Sequence, residues 1–238
     1  MTANHACLSL GFLALLFMWL VFAPSSVHAL TLSFKVFDFT GTLSGTTIFN
    51  INNMGQFVGS YSDTRFHGFV CNDLLDSCTT IDHPAGGNTQ ALGLNDLGQI
   101  VGDPSFFRDT DGSFSPVAIP GAVSTNPFGI NDSELVVGDY SDSGGTHGFI
   151  QSIGSISFVS IDVTGSSFTR ARNINDLGDV VGVFVRHNRA NGFLREAGGT
   201  LVELGFPGAS QTAPSDINNT GAIVGQFFVI AQPPHGIS

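Results

Sequence analysis

Three histidines stand at matched places in this chain: His67, His147 and His235, each followed by glycine and a large apolar residue. Acids lie close before two of them, Asp63 and Asp142. A histidine beside a carboxylate can collect a metal ion, or it can clamp one strand to a loop. Asp111 and Asn191 fill the place in the other two copies. The position opens a third strand, away from any centre, so a hydrogen bond inside each repeat is the expected role and no metal is expected. Asp38, Asp82 and Asp162 are also equivalent to one another. Glycoside cleavage needs two or three carboxylates gathered in one pocket, whereas equivalence spreads these around an outer circle. The chain has no nucleophile elbow, no HExxH and no phosphate-binding loop. Asp109-Thr110-Asp111-Gly112 matches part of a calcium loop, but Phe107 stands at the first ligand place and the closing glutamate is missing. No catalytic residue and no cofactor is expected.

Cys71 and Cys78 lie on either side of a short predicted hairpin. In an exported protein they are expected to form a disulfide, contributing about 2 kcal/mol or less because the closed loop is so short. Two free thiols, or a metal site completed by His67 and His83, are the alternatives.

The elements that must position these groups repeat. Ile-Asn or Leu-Asn recurs at Asn52, Asn95, Asn131, Asn175 and Asn218, with a glycine seven residues after each, at Gly59, Gly102, Gly138, Gly182 and Gly225. The steps between the asparagines are 43, 36, 44 and 43 residues, the length of one small supersecondary unit. In Asn-Asp-Leu-Gly the asparagine opens a type I turn, and the glycine takes the positive φ of a G1 bulge. All five asparagines therefore read as turn residues. Glu134 replaces that glycine in the third copy, where a strained or reshaped turn is expected. The later glycine falls inside a strand, where close approach of a neighbouring sheet is the expected cause.

Each copy reads as four short strands bounded by Gly, Asn, Asp or Ser, and no window has helical periodicity. The predicted fold is all-β: a five-bladed β-propeller of four-stranded antiparallel blades. The fifth copy reaches only His235-Gly236-Ile237-Ser238. Ser33 to Gly41 matches Ser157 to Gly165 at five of nine places, so the strand over residues 31–40 is expected to complete the last blade and close the ring. The second copy is seven residues shorter than the first, and its outer hairpin is expected to be truncated.

Residues 1–29 read as a signal peptide: an apolar run from Cys7 to Ala23, then Val27-His28-Ala29 as a cleavage site. An uncleaved N-terminal anchor is the alternative, since the run approaches the length of a membrane span and lacks a basic start. Residues 30–238 then form one exported domain, secreted, periplasmic or on the cell surface, with no membrane span. The formal net charge of −11 repels phosphate backbones and anionic headgroups, which argues against nucleic acid as a partner.

The phrases Gly-Ile-Asn with two downstream glycines, His147-Gly148-Phe149 and Ile119-Pro120-Gly121-Ala122 resemble the HAF family of bacterial extracellular repeat proteins, over nearly all of residues 31–238. The resemblance implies an exported, sheet-rich repeat protein with no established activity. The Pro-Glu-Pro sorting tail common in such proteins is not found in this sequence. Repeat proteins bind through clustered loops, and the loops expected on one face carry Arg65, Arg108, Arg186 and Arg189. Tyr61 and Tyr140, nine residues after their asparagines, are candidates to stack on sugar faces from the same rim, with core packing as the alternative. The expected function is a non-enzymatic binding module for polysaccharide or a cell-surface protein. The rivals are a glycan-cleaving propeller and a purely structural matrix protein.

Overall fold

A computed structural model describes residues 45–72 and 77–229. These lie in one compact body, Phe37–Ser238. The signal segment, the strand expected over residues 31–40, Asp38 and His235 lie outside the described residues.

Every regular element among the described residues is a strand. Repeat 1 is β1 (Thr46–Ile51), β2 (Phe57–Ser62), β3 (Phe66–Asn72) and β4 (Ser77–Ile81). Repeat 2 is β5 (Gln90–Leu94), β6 (Ile100–Asp103), β7 (Phe106–Arg108) and β8 (Phe114–Pro116). Repeat 3 is β9 (Ser124–Ile130), β10 (Leu135–Asp142), β11 (Gly145–Ser152) and β12 (Phe158–Ile161). Repeat 4 is β13 (Phe168–Ile174), β14 (Val180–Arg186), β15 (Arg189–Arg195) and β16 (Leu201–Leu204). Repeat 5 contributes β17 (Gln211–Ile217) and β18 (Ile223–Phe228). Within each repeat, consecutive strands pair antiparallel, and one parallel bridge, Thr146 to Phe168, joins repeats 3 and 4. In repeat 2 the outer hairpin is reduced to two strands of three residues each.

Alternation along the strands leaves each sheet with apolar residues on both faces, and stacking the sheets buries them. Val58 and Ile81 of repeat 1 pack with Ala91, Leu94, Ile100 and Phe106 of repeat 2. Val101, Phe107 and Ile119 pack with Ile130, Val136, Tyr140 and Phe149 of repeat 3. Val137, Ile161 and Val163 pack with Ala171, Ile174, Val180, Phe184 and Phe193 of repeat 4. Each fully buried Phe or Val in these seams contributes about 1.5–3 kcal/mol. The seams between repeats are thus the core.

The glycine inside each second strand has a cause different from the one expected. A Cβ on Gly59 would stand 2.6 Å from Phe69 Cζ, and one on Gly138 would stand 2.8 Å from Phe149 Cε1. Both would also strike a first-strand carbonyl, of Thr47 or Asn126. The crowding therefore comes from the glycine's own sheet, where a bulge in the pairing of the first two strands brings that carbonyl close. The neighbouring sheet is not the source.

Cys71 and Cys78 are directly paired across β3 and β4 and form a disulfide. Glu134 keeps the turn of its glycine counterparts by adopting φ 57°. Left-handed backbone costs a residue with a Cβ roughly 1–2 kcal/mol. Its carboxylate accepts a 2.8 Å bond from Gln99 Nε2, which offsets part of that. Glu134→Gly is expected to stabilise the protein by about 0.5–1 kcal/mol, read as a higher urea midpoint at unchanged slope. A midpoint that stays put or falls would show an unstrained turn.

Candidate functional site

The five repeated turns converge. In each, the Asn backbone carbonyl accepts the amide of the residue three on, at 3.0–3.1 Å. The side-chain Oδ1 closes the same turn from within: that of Asn131 accepts the amides of Ser133 at 3.1 Å and Leu135 at 3.0 Å. This leaves the Nδ2 amide free to point outward, and it reaches the next repeat. Asn52 donates to Asn95 O at 3.0 Å, Asn95 to Asn131 O at 3.1 Å, Asn131 to Asn175 O at 3.0 Å, and Asn175 to Asn218 O at 3.2 Å. Among the described residues no bond returns from Asn218 to Asn52. One side chain thus shapes its own turn and fastens its repeat to the following one. The turn role is legible in Asn-x-x-Gly; the second bond appears only when the turns are neighbours.

The residue after each asparagine forms a parallel ladder. The amide of Asn53 donates to Asp96 Oδ1 at 2.8 Å, that of Asp96 to Asp132 at 2.8 Å, that of Asp132 to Asp176 at 2.9 Å, and that of Asp176 to Asn219 at 2.9 Å. Burial raises the Asp132 carboxyl above its ordinary value of 3.8; the charges of Asp176 and Asp96 add to this, and the Asp96 amide opposes it. Residues from all five turns line one polar cavity here, of about 120 Å³.

A wider cavity of about 280 Å³ adjoins it, the two sharing Asn50, Asn173 and Asp216. The first strands alternate, so the residue three before each asparagine faces inward: Phe49, Leu92, Phe128 and Arg172 line this mouth with Ser215. Sequence reasoning missed these residues, although counting back from the repeated asparagine retrieves them.

The expected site residues are placed elsewhere. His67 Nδ1 lies 2.8 Å from Asp82 Oδ1 and Nε2 lies 3.2 Å from Asp63 Oδ1. His147 repeats the pattern in part: Nδ1 lies 2.6 Å from Asp162 Oδ1, while Nε2 lies 3.3 Å from Asp142 Oδ1 as a charge contact without a hydrogen bond. Each imidazole so ties the start of its third strand to the end of the fourth and to the preceding loop. Tyr61 and Tyr140 are not rim residues. Their rings stack on His67 and His147 at 5.0 and 5.2 Å, and their hydroxyls reach Thr80 and Ser160. Tyr140 is only 7% exposed, because the stack on the clamp and the seam with repeat 2 cover its ring. Backbone amides of Arg65 and Thr64 hold Asp63 down to a pKa of about 2.

The four arginines are dispersed among the loops. Arg65 pairs with Asp82 at 3.1 Å and bonds Gly87 O. Arg108 lies beside Asp111 and helps lower its pKa, behind the bonds from Ser113. Arg186 bonds Glu203 at 2.8 Å and Thr164 O at 2.6 Å while lying over the Phe184 ring. Arg189 is exposed and shares a surface cleft with Arg186, across the tight turn His187-Asn188. Arg65 and Arg186 are bracing groups, and only Arg186 and Arg189 come together.

No protein-family model matches the chain, and no curated protein matches its sequence. Among solved structures it is similar to a catalytically inactive virginiamycin B lyase from Staphylococcus aureus with quinupristin, at TM-score 0.50 and 11% identity, over 83% of this chain and 74% of that one. It is also similar to one of two prolyl endopeptidases, at TM-score 0.50 and 13% identity, over 71% of this chain but only 30% of that one. The likeness is one of fold: an all-β chain of the β-propeller type.

If the asparagine acts between repeats, Asn131→Asp should be nearly as harmful as Asn131→Ala, about 2 kcal/mol. Aspartate keeps the turn acceptor but faces the Asn175 carbonyl with an oxygen. A near-neutral aspartate variant in urea unfolding would reduce Asn131 to a turn residue.

The bond to Asp162 raises the His147 pKa above 6.5, with burial opposing and the Asp142 charge assisting. The folded state holds this proton more tightly than the unfolded state. The clamp's contribution is therefore full below pH 6.5 and lost as pH rises through the folded value. The stability gap between wild type and His147→Asn should shrink by about 0.5–1 kcal/mol from pH 6 to pH 9. A gap independent of pH would show that the proton does not matter.

Proposed function

We propose that this chain is an exported, non-enzymatic binding module of the HAF type, a closed five-bladed propeller that takes polysaccharide or a cell-surface component at its central mouth. The observation that carries this reading is the division of labour among its polar groups. The histidine–carboxylate pairs suited to acid–base work are engaged as strand clamps, while the central mouth presents aromatic rings beside arginines. Lining of one cavity by all five turns supports the ring, and the likeness of residues 33–41 to 157–165 supports closure by that segment. The disulfide fits an oxidising compartment.

One observation favours the glycan-cleaving alternative: Asp96, Asp132 and Asp176 line a single cavity, and one carboxyl is raised. Cavity size favours the binding reading. Ligand pockets run from about 300 Å³ upward, so the 120 Å³ acidic cavity is too small while the 280 Å³ mouth is near the threshold.

The test is a glycan and surface-polymer panel on the full chain, with product analysis of every binder. Binding without product release, weakened by Phe128→Ala, is expected. Product formation abolished by Asp132→Asn would make it an enzyme, and failure of every ligand would leave the structural role.

A further inference from the structure

The mouth of the central cavity contains a charge imbalance that points to a ligand. Arg170 and Arg172 project from the same side of β13, two residues apart, and both line the mouth. Arg170 is held by an ion pair and two rings. Its Nε pairs with Asp139, which is 1% exposed and also accepts a 2.7 Å bond from Asn126. Its guanidinium carbon lies 4.8 Å from the centre of the Phe128 ring and 5.2 Å from that of Phe168. Arg170 is thereby a fixed flat wall.

Arg172 has no such partner. Its Nε is buried without a hydrogen bond, and among the described residues no ion pair reaches it. Burial, then the neighbouring Arg170 charge, lowers its pKa. The one acid in the lining is Asp216, which accepts from Asn173 Nδ2 and, at 2.7 Å, from the Ile217 amide. It sets a hydrogen-bond acceptor in the mouth without pairing Arg172. The Arg172 Nε is sealed from solvent, so a ligand would meet the guanidinium at its terminal Nη groups, where planar bidentate pairing with a carboxylate is the match its geometry favours. Around it stand apolar surfaces: Phe128, Leu92 and Phe49, the last 42% exposed.

We propose that this mouth binds a carboxylate carried on a ring with an apolar face, the carboxylate on Arg172, the ring against Phe128 and Phe49, and any hydroxyl donating to Asp216. This rests on the binding-module reading and specifies its ligand class. Such a group occurs in the uronic acid units of acidic polysaccharides and in aromatic acids. The overall charge of −11 does not forbid it, because screening confines that repulsion to about 8 Å at physiological salt.

Calorimetry on the full chain would compare trigalacturonate and benzoate with their methyl esters, and with a neutral glucose trisaccharide. At least one acid is expected to bind tenfold or more tightly than its ester, with Arg172→Gln removing that preference and leaving the melting temperature unchanged or higher. Should Arg172→Gln fail to fold, Ser215→Glu supplies an internal carboxylate at the mouth and is expected to abolish acid binding. Binding of trigalacturonate alone assigns the sugar source, of benzoate alone the aromatic one, and of both the shared chemistry. Equal binding of acid and ester, full acid affinity in either folded variant, or no acid binding overturns the proposal. If the neutral trisaccharide then binds, the binding-module reading survives; if nothing binds, both fall.

Discussion

The fold depends on a hydrogen bond that no single repeat can make alone: the asparagine amide of one turn donating to the asparagine carbonyl of the next. Sheet faces slide easily over one another when only apolar contact holds them, because hydrophobic attraction has no direction. A buried amide–carbonyl pair does have direction, and losing it leaves both groups without water. Four such bonds therefore fix the register of the stacked sheets, and the aspartate ladder beside them repeats the constraint one residue further on. Burial of the phenylalanines supplies most of the cohesion, and the asparagines determine which way it acts.

Much of this was legible in the residues. The asparagine–glycine spacing gave the number of repeats, the turns and the strand character, because those are local properties of a few dihedral angles. The disulfide followed from two cysteines on one hairpin, and the histidine–acid contacts followed from their matched positions. What failed to follow was whatever depends on neighbours in space. Packing between repeats was legible for Tyr140, whose ring the seam covers, but its stack on His147 was not. Gly138 reads as a point of close approach, yet the bulge that brings a carbonyl of its own sheet against it cannot be counted from spacing. Arg172 looked like any charged residue in a strand of a charge-poor protein.

The arrangement separates two uses of charge. At the outer ends of the strands His67 and His147 each meet two carboxylates, so those charges are engaged within a repeat. Along the first strands the polar groups are stacked by the repeat itself: an asparagine or aspartate in every turn at one end, and at the other five matched positions with four different residue types, Phe49, Leu92, Phe128, Arg172 and Ser215. The repeated asparagine and the glycine seven residues after it are filled alike in every copy, whereas the mouth positions vary, and that variation gives five copies of one motif an asymmetric surface.

The asparagine bonds also run one way, repeats 2 to 4 each donating forward and accepting from behind. Each of these three therefore presents the same two connectors, whatever its outer strands look like. The joints are indifferent to the size of the outer strands, in the manner of a chain of identical couplings: the shortened second repeat is fastened on both sides as the longer third is.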